Sequence, residues 1–459
     1  MTLTRRTLLA IGIASTLLTA CASTLTLAER PPIVFMHGNG DSAALWQTTI
    51  WRFESNGWPK DRLIALDQPH PLARDDDKVV QPGRSSTYDS AAFLKSEVGK
   101  VLARTGASKV VLMGNSRGGN AIRNFVQNHG GDKVVSQVVL GGNPAHGVHA
   151  VVGYREGSEF SGLSPFLKQL NQPKGAAGNE ITPGVAWMTV RSENNDKFAQ
   201  PDGRWAGLPG KSTNIGYDGP SLKGATNVAL PKIDHRETSF SPAAFAVAYK
   251  FLTGEAPRTT EVVPQDKVEL SGRVTGLGVD PLDAKSGNLT NNLPLAGAQL
   301  TAYTVDTAGA RSGKSLLQQT IGADGRWGPL AASSTTPLEF VVSAPGYAAT
   351  HVYRSAFPRS SDIVNLRPER IADADRDAKA IVVFTRPRGY FDAERDTMRL
   401  DGKTALPGVP PRGAGVSSAK LKLTSDAQRA VSGEFNGETV TGLTWPAADG
   451  HMTMLELTY

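Results

Sequence analysis

Gly114-Asn115-Ser116-Arg117-Gly118, set directly behind the apolar run Lys109-Val110-Val111-Leu112-Met113, constrains this chain more than any other stretch. A G-x-S-x-G sequence between a β-forming run and a helix fits a strand-to-helix turn too tight for side chains at its flanks, which is why glycine stands on both sides of the serine. Helical spacing of apolar residues follows in Ala121-Ile122-Arg123-Asn124-Phe125-Val126. Such a turn holds the Ser116 hydroxyl out at the carboxyl end of a buried strand, placed to attack.

The surroundings carry the same message. Candidate strands are Ile33 to Met36, Leu63 to Leu66, Val110 to Met113, Gln137 to Leu140, Val185 to Val190 and Asn227 to Leu230. Candidate helices between and after them include Ser90 to Thr105, Ala121 to His129 and Ala243 to Phe251. Runs apolar on both faces, separated by helices, imply a mostly parallel sheet covered by helices on both sides, an α/β catalytic domain over 31–257. After Phe251-Leu252-Thr253-Gly254-Glu255-Ala256-Pro257 the character changes to short alternating strands, such as Val268 to Val274 and Gln299 to Tyr303, broken by turns such as Ala323-Asp324-Gly325. An all-β, sandwich-like region over 262–371 is expected. The charged stretch Asp373-Ala374-Asp375-Arg376-Asp377 then sets off a second small β subdomain over 378–459. A chain of 459 residues exceeds what one core organises, in keeping with this division.

The first residues read differently. Arg5-Arg6, the apolar run Leu8 to Leu18 and Thr19-Ala20-Cys21 form an export leader within 1–30 rather than a membrane-spanning helix. The leader resembles a twin-arginine signal, with the general secretion route as the other possibility. Leu18-Thr19-Ala20-Cys21 also resembles a bacterial lipobox. Two readings stand: a lipid anchor on Cys21 at the cell envelope, or cleavage after Ala22 and a free secreted or periplasmic form. Because Cys21 is the single cysteine, an intramolecular disulfide and a cysteine-based metal site are both excluded. The net charge is +6, but Lys and Arg are scattered and no basic run is interleaved with aromatics, so nucleic acid is not an expected partner.

A serine alcohol is a poor nucleophile at neutral pH and needs a histidine base whose tautomer is held by an acid. Of eight histidines, His235 is best placed, in a loop after the Asn227 to Leu230 strand and before a helix. The strand Val185 to Val190 runs into Arg191-Ser192-Glu193-Asn194-Asn195-Asp196, and Asp196 is the expected acid. Asp202 and Glu193 stay open as rivals. Asp234 ranks lower, since adjacent residues orient each other poorly. Negative charge on the tetrahedral intermediate needs two amide donors, worth about 3 to 4 kcal/mol each. The amide of Arg117, at a helix start, is one. That of Asn39, in the His37-Gly38-Asn39-Gly40 turn after the first strand, is the other. No metal or organic cofactor is required, because serine, imidazole and amides supply the chemistry.

The segments Val34 to Gly40, Asn56 to Asp67 and Gly114 to Gly119 together resemble, in order and spacing, the compact bacterial lipases of the α/β-hydrolase superfamily, over roughly Pro31 to Thr253. The resemblance implies an α/β-hydrolase fold, Ser116, Asp196 and His235 as catalytic residues, and Asn39 and Arg117 as oxyanion donors. It also implies a carboxylic ester hydrolase of lipase type working through an acyl-enzyme, with lipid or ester substrates met at a lipid–water interface. There are departures. Asn115 stands where many relatives carry histidine, and Arg117 where many carry methionine or leucine, so a charged side chain is expected near the mouth of the site. The segment His146 to Pro183, with Phe160 to Leu167, exceeds what the smallest members need and is either a lid or an ordinary insertion. The β region resembles transthyretin-like or carboxypeptidase-regulatory-like sandwiches, and its place resembles that of the lipid-binding β module in certain lipases. Trp327, Tyr347, Tyr353 and Tyr390 are candidate contacts with substrate or interface, with core packing the leading expectation for each. Two other functions remain open: an esterase or polyester depolymerase on non-lipid esters, and a surface binding protein on a hydrolase scaffold.

Overall fold

Six parallel strands organise the first half of the chain in the computed structural model, which describes residues 30–278 and 289–459. The leader reading for 1–29, with Cys21, lies outside the described residues. In chain order the strands are β1 (Ile33–Met36), β2 (Leu63–Leu66), β3 (Val110–Asn115), β4 (Val135–Gly141), β5 (Ala186–Ser192) and β6 (Thr226–Leu230), arranged β2-β1-β3-β4-β5-β6. Every neighbouring pair is parallel.

Alternation along these strands feeds two separate cores, because successive side chains point to opposite faces. Val34, Met36, Leu112, Val138 and Leu140 meet α2 (Thr87–Thr105) and α3 (Arg117–Asn128) on one side. Ile33, Phe35, Val111, Met113, Val139 and Val190 meet α1 (Gln47–Ser55) and, near the end of the domain, Pro242–Thr253 on the other. Each fully buried aliphatic side chain is worth about 1.5 to 3 kcal/mol, so a sheet buried on both faces is a stiff platform for whatever its carboxyl edge carries. Helix α2 starts with a capping box between Ser86 and Asp89 and stops at Gly106 in the left-handed conformation. The parallel, helix-covered sheet with a serine turn after its third strand is the α/β-hydrolase fold.

The rest of the chain is mostly β. One seven-stranded sheet runs through both stretches 262–371 and 378–459. Its last strand, His451–Glu456, lies between Ala349–Arg354 and Ala380–Thr385 and is parallel to each. Trp51 of α1 turns outward from the hydrolase core into the β core, its ring 6.4 Å from that of Phe357 and its indole N–H donating to the Ser360 carbonyl at 2.9 Å. Trp327 and Tyr353 are core residues, and the Tyr347 hydroxyl is held by the main chain of Leu277. Tyr390 is buried as well, and it also lines a pocket of the hydrolase half, the contact role left open for it, as described below. No helix among the described residues is long and apolar enough to cross a membrane.

Candidate active site

Ser116 occupies the single residue between β3 and α3 with φ 50° and ψ −120°, a conformation that costs a non-glycine residue about 1 to 3 kcal/mol. The neighbouring glycines make the turn possible. A Cβ on Gly114 would lie 2.6 Å from Ile122 Cδ1, and one on Gly118 would lie 2.5 Å from the Met36 carbonyl oxygen and 2.6 Å from that of His37. Asn115 ties the turn to the rest of the site through its side-chain Nδ2, which donates to Ser239 Oγ at 2.9 Å and to the His235 and Gly141 carbonyls at 3.3 Å.

The loop after β6 brings His235 to the same place. Its Nδ1 is 2.7 Å from Asp196 Oδ2. The other oxygen of Asp196 accepts the Phe198 amide at 2.8 Å, and the Phe198 ring stands edge-on to the imidazole at 4.7 Å. Both members of the pair are buried. His235 Nε2 has no hydrogen-bond partner among the described residues, so the bond to Ser116 is not formed, although both residues line one pocket of about 470 Å³. Of the rival acids, Asp202 caps the Arg204 amide at 3.1 Å and Glu193 is exposed. Asp234 is wholly buried and serves elsewhere. Its Oδ2 accepts from Arg386 Nη1 and the Tyr390 amide, and its Oδ1 from the amides of Arg236 and Glu237, all at 2.8 Å. Burial, reinforced by Glu237 and opposed by Arg386, pushes its carboxyl up to about 6.

On the opposite wall, the turn after β1 is held by His37, whose Nδ1 donates to the Gly38 carbonyl at 2.9 Å while its Nε2 accepts from the Gln68 amide at 3.1 Å. Burial lowers the pKa of this ring, which keeps it neutral and suits one donor and one acceptor. Asn39 lines the pocket, and its Oδ1 accepts the Ala73 amide at 2.7 Å. The Arg117 amide opens α3, in the first turn where a helix leaves N–H groups without internal partners.

The Arg117 side chain corrects an expectation. It does not stand at the mouth of the site but is buried, paired with Glu159 and donating to the Pro71 carbonyl at 2.9 Å and to Ser85 Oγ and carbonyl at 2.9 and 2.7 Å. A guanidinium has five donors, and here the loops supply enough acceptors to keep it inside. Burial pushes the Glu159 carboxyl up, with Arg117 pulling the other way. Glu159 belongs to the 146–183 segment, from which Val148, His149, Arg155 and Phe160 line the pocket. The helix Pro165–Leu170, capped by Ser164, packs Leu167 and Leu170 into the domain behind it.

Charged residues also line the pocket, among them Asp41, Arg74, Arg84 and Arg236. Arg236 Nε pairs with Asp41 Oδ2 at 3.0 Å. Tyr390 arrives from the last β region and completes the wall beside Phe198 and Trp205. Nothing near Tyr390 in the chain signals this, because the contact is made by the packing of one region on another. No cluster of three His, Cys, Asp or Glu side chains among the described residues is placed to hold a metal ion.

Residues 266–371 match the family model of the lipase C-terminal domain. Among solved structures, the chain is similar to Bacillus licheniformis lipase BlEst2 in its propeptide form, with 14% identity over 90% of this chain and 93% of that one and a TM-score of 0.36. It is also similar to Aspergillus fumigatus lipase B, with 15% identity, 52% of this chain and a TM-score of 0.34, and spans 56% of that protein's length. Carboxylesterase CesB of Bacillus subtilis matches with 15% identity over 50% of this chain and 85% of that one, at a TM-score of 0.27. This chain therefore joins a domain of the α/β-hydrolase fold to a β region that matches the lipase C-terminal domain family.

Proposed function

We propose that the protein is a serine carboxylic ester hydrolase of lipase type. The observation that carries the reading is the 2.7 Å contact between His235 Nδ1 and Asp196 Oδ2, beside a serine held in a strained turn at the same pocket. Ser116 Oγ adds to the ester carbonyl while His235 Nε2 takes its proton. Asp196 holds the hydrogen on Nδ1 and stabilises the imidazolium. The carbonyl oxygen, now an anion, receives the amides of Asn39 and Arg117. On collapse, the alcohol leaves with the proton from Nε2, and the acyl group stays on Ser116. Water then adds with His235 again as base, releasing the acid and restoring the hydroxyl.

The lipase C-terminal match over 266–371 supports lipid esters as substrates. A second reading, esters carrying polar groups, is favoured by Asp41, Arg74, Arg84 and Arg236 in the pocket lining. The leader and Cys21 lead us to place the protein outside the cytoplasm, free or anchored, which the mass of the mature N-terminus tests.

The deciding experiment is hydrolysis of esters of increasing chain length, below and above their solubility limits, by the wild type and by S116A. Loss of about three or more orders of magnitude in S116A, with the fold retained, is expected. Undiminished turnover by that variant overturns the mechanism. Preference for emulsified long-chain esters supports the lipase reading, and preference for dissolved polar esters supports the second.

A further inference from the structure

The residues just before the acid and just before the base are both gripped by the last β region. Asn195 Nδ2 donates to Asp392 Oδ2 at 2.9 Å, and Asp234 accepts from Arg386 and the Tyr390 amide. Arg386 also reaches past the base, its Nη2 donating to Glu237 Oε1 at 2.7 Å. One guanidinium thus holds the chain on both sides of His235, at Asp234 and at Glu237. Its side chain is 4% exposed, and the same Nη1 donates to the Tyr390 carbonyl at 2.7 Å, which sets the loop that carries Tyr390 to the pocket.

A buried cation between two carboxylates is a costly way to join two parts of a chain, because desolvation consumes most of the attraction. The junction does not need it for adhesion: Trp51 packs on Phe357, and Arg359 pairs with Glu54 at 2.9 Å, away from the pocket. What the Arg386 fork supplies that apolar packing does not is direction, since two donors in a rigid plane define the place of two acceptors.

We propose that Arg386 is a positioning residue of the hydrolytic site, which sets the stand of the His235 loop from Asp234 and Glu237. The last β region is then part of the active site and not an appendage to it. The inference rests on His235 acting as the base.

The test uses the full-length chain and a dissolved short-chain 4-nitrophenyl ester. R386A is expected to lose roughly 10- to 100-fold in kcat with KM within about twofold, because misplacing a catalytic group slows chemistry more than binding. R386K, which keeps the charge but not the fork, is expected to fall between the two. A kcat for R386A within about threefold of the wild type, or a loss carried by KM alone, overturns the proposal whatever the melting temperature does. Where R386A is not recovered folded, R386K decides alone: a lower kcat at unchanged KM supports the proposal, and wild-type kcat overturns it. An active wild type with inactive S116A and unaffected R386 variants rejects the positioning role while the hydrolase reading stands. A wild type with no esterase activity rejects both.

Discussion

Asn115 and Ser239 are joined side chain to side chain at 2.9 Å, so the residue before the candidate nucleophile is bonded to the short helix Glu237–Phe240 that follows the candidate base. The same amide reaches the His235 carbonyl, and one side chain thereby spans two loops that are distant in the chain. Replacement of Asn115 by Ala is expected to cost about 1 to 2 kcal/mol of stability, from buried acceptors left without a donor. It is expected to lower kcat about tenfold as the two loops lose register. Denaturant unfolding and steady-state kinetics on one dissolved ester check both parts.

Arg117 and Glu159 form a pair with side chains 3% exposed at either end. R117M, which installs a residue common among the lipases this chain resembles, leaves Glu159 buried without its cation. A loss of about 3 to 5 kcal/mol is expected. In the double variant R117M/E159Q the stranded charge is gone, and much of that loss is expected to return. Equal stability of the single and double variants would show that the pair is not the reason for the loss.

Gly118 is backed directly by main chain. A methyl group there meets the carbonyl oxygens of Met36 and His37 at 2.5 and 2.6 Å, and neither can swing aside as a side chain does. G118A is expected to lose about 3 kcal/mol and most activity, by forcing β1 away from the serine turn. G99A, at an exposed helical glycine with open space around it, is the control and is expected to melt at or above the wild-type temperature.

In the β region, His351 Nδ1 lies 2.7 Å from Glu339 Oε1, and its Nε2 lies 2.9 Å from His451 Nδ1. Burial lowers the His351 pKa from 6.5, outweighing the pull of Glu339. The unfolded chain therefore takes up a proton before the folded one does, and stability falls as pH drops below 6.5. Glu339 is also lowered, from 4.5: burial raises it, but hydrogen bonds from His351 and Arg311 outweigh burial. Its contribution is present above 4.5 and is lost as pH falls further. The contribution of His351 and then of Glu339 is a decline in stability from pH 7 toward pH 4, opposite in sign to that of Asp234, whose raised carboxyl takes up its proton in the folded chain first. H351Q is expected to flatten the upper part of that decline, as differential scanning fluorimetry across the pH series would register.

The α/β order of the first half could be read from the chain, and the limits of two of its six strands with it. Ile33–Met36 and Leu63–Leu66 appear with the ends their apolar runs suggest, since a parallel strand covered by helices is apolar on both faces and ends where polar residues begin. Helix α3 begins at Arg117 and not at Ala121, because the serine turn leads into it directly and two glycines in its first turn hide the periodicity. The candidate site is legible where chain order and local turns carry it. Among three open carboxylates, spacing favoured Asp196 without excluding the others, and the bond to His235 depends on how two loops converge above the sheet. The place of the Arg117 side chain was illegible, since its acceptors at Pro71, Ser85 and Glu159 come from three separate segments.

What the sequence determined by itself is the local chemistry: apolar runs that must be buried, glycines where no Cβ fits, and a serine in a turn between strand and helix. Those follow from sterics and hydrophobic periodicity within a few residues. What only the tertiary structure decided is which distant groups meet at the candidate site: Asp196 against His235, Asn115 against Ser239, Arg386 and Tyr390 from the far end of the chain. Such partners meet through the packing of whole elements, and hydrogen bonds that span a few ångströms leave no trace in a sequence until that packing brings their ends together.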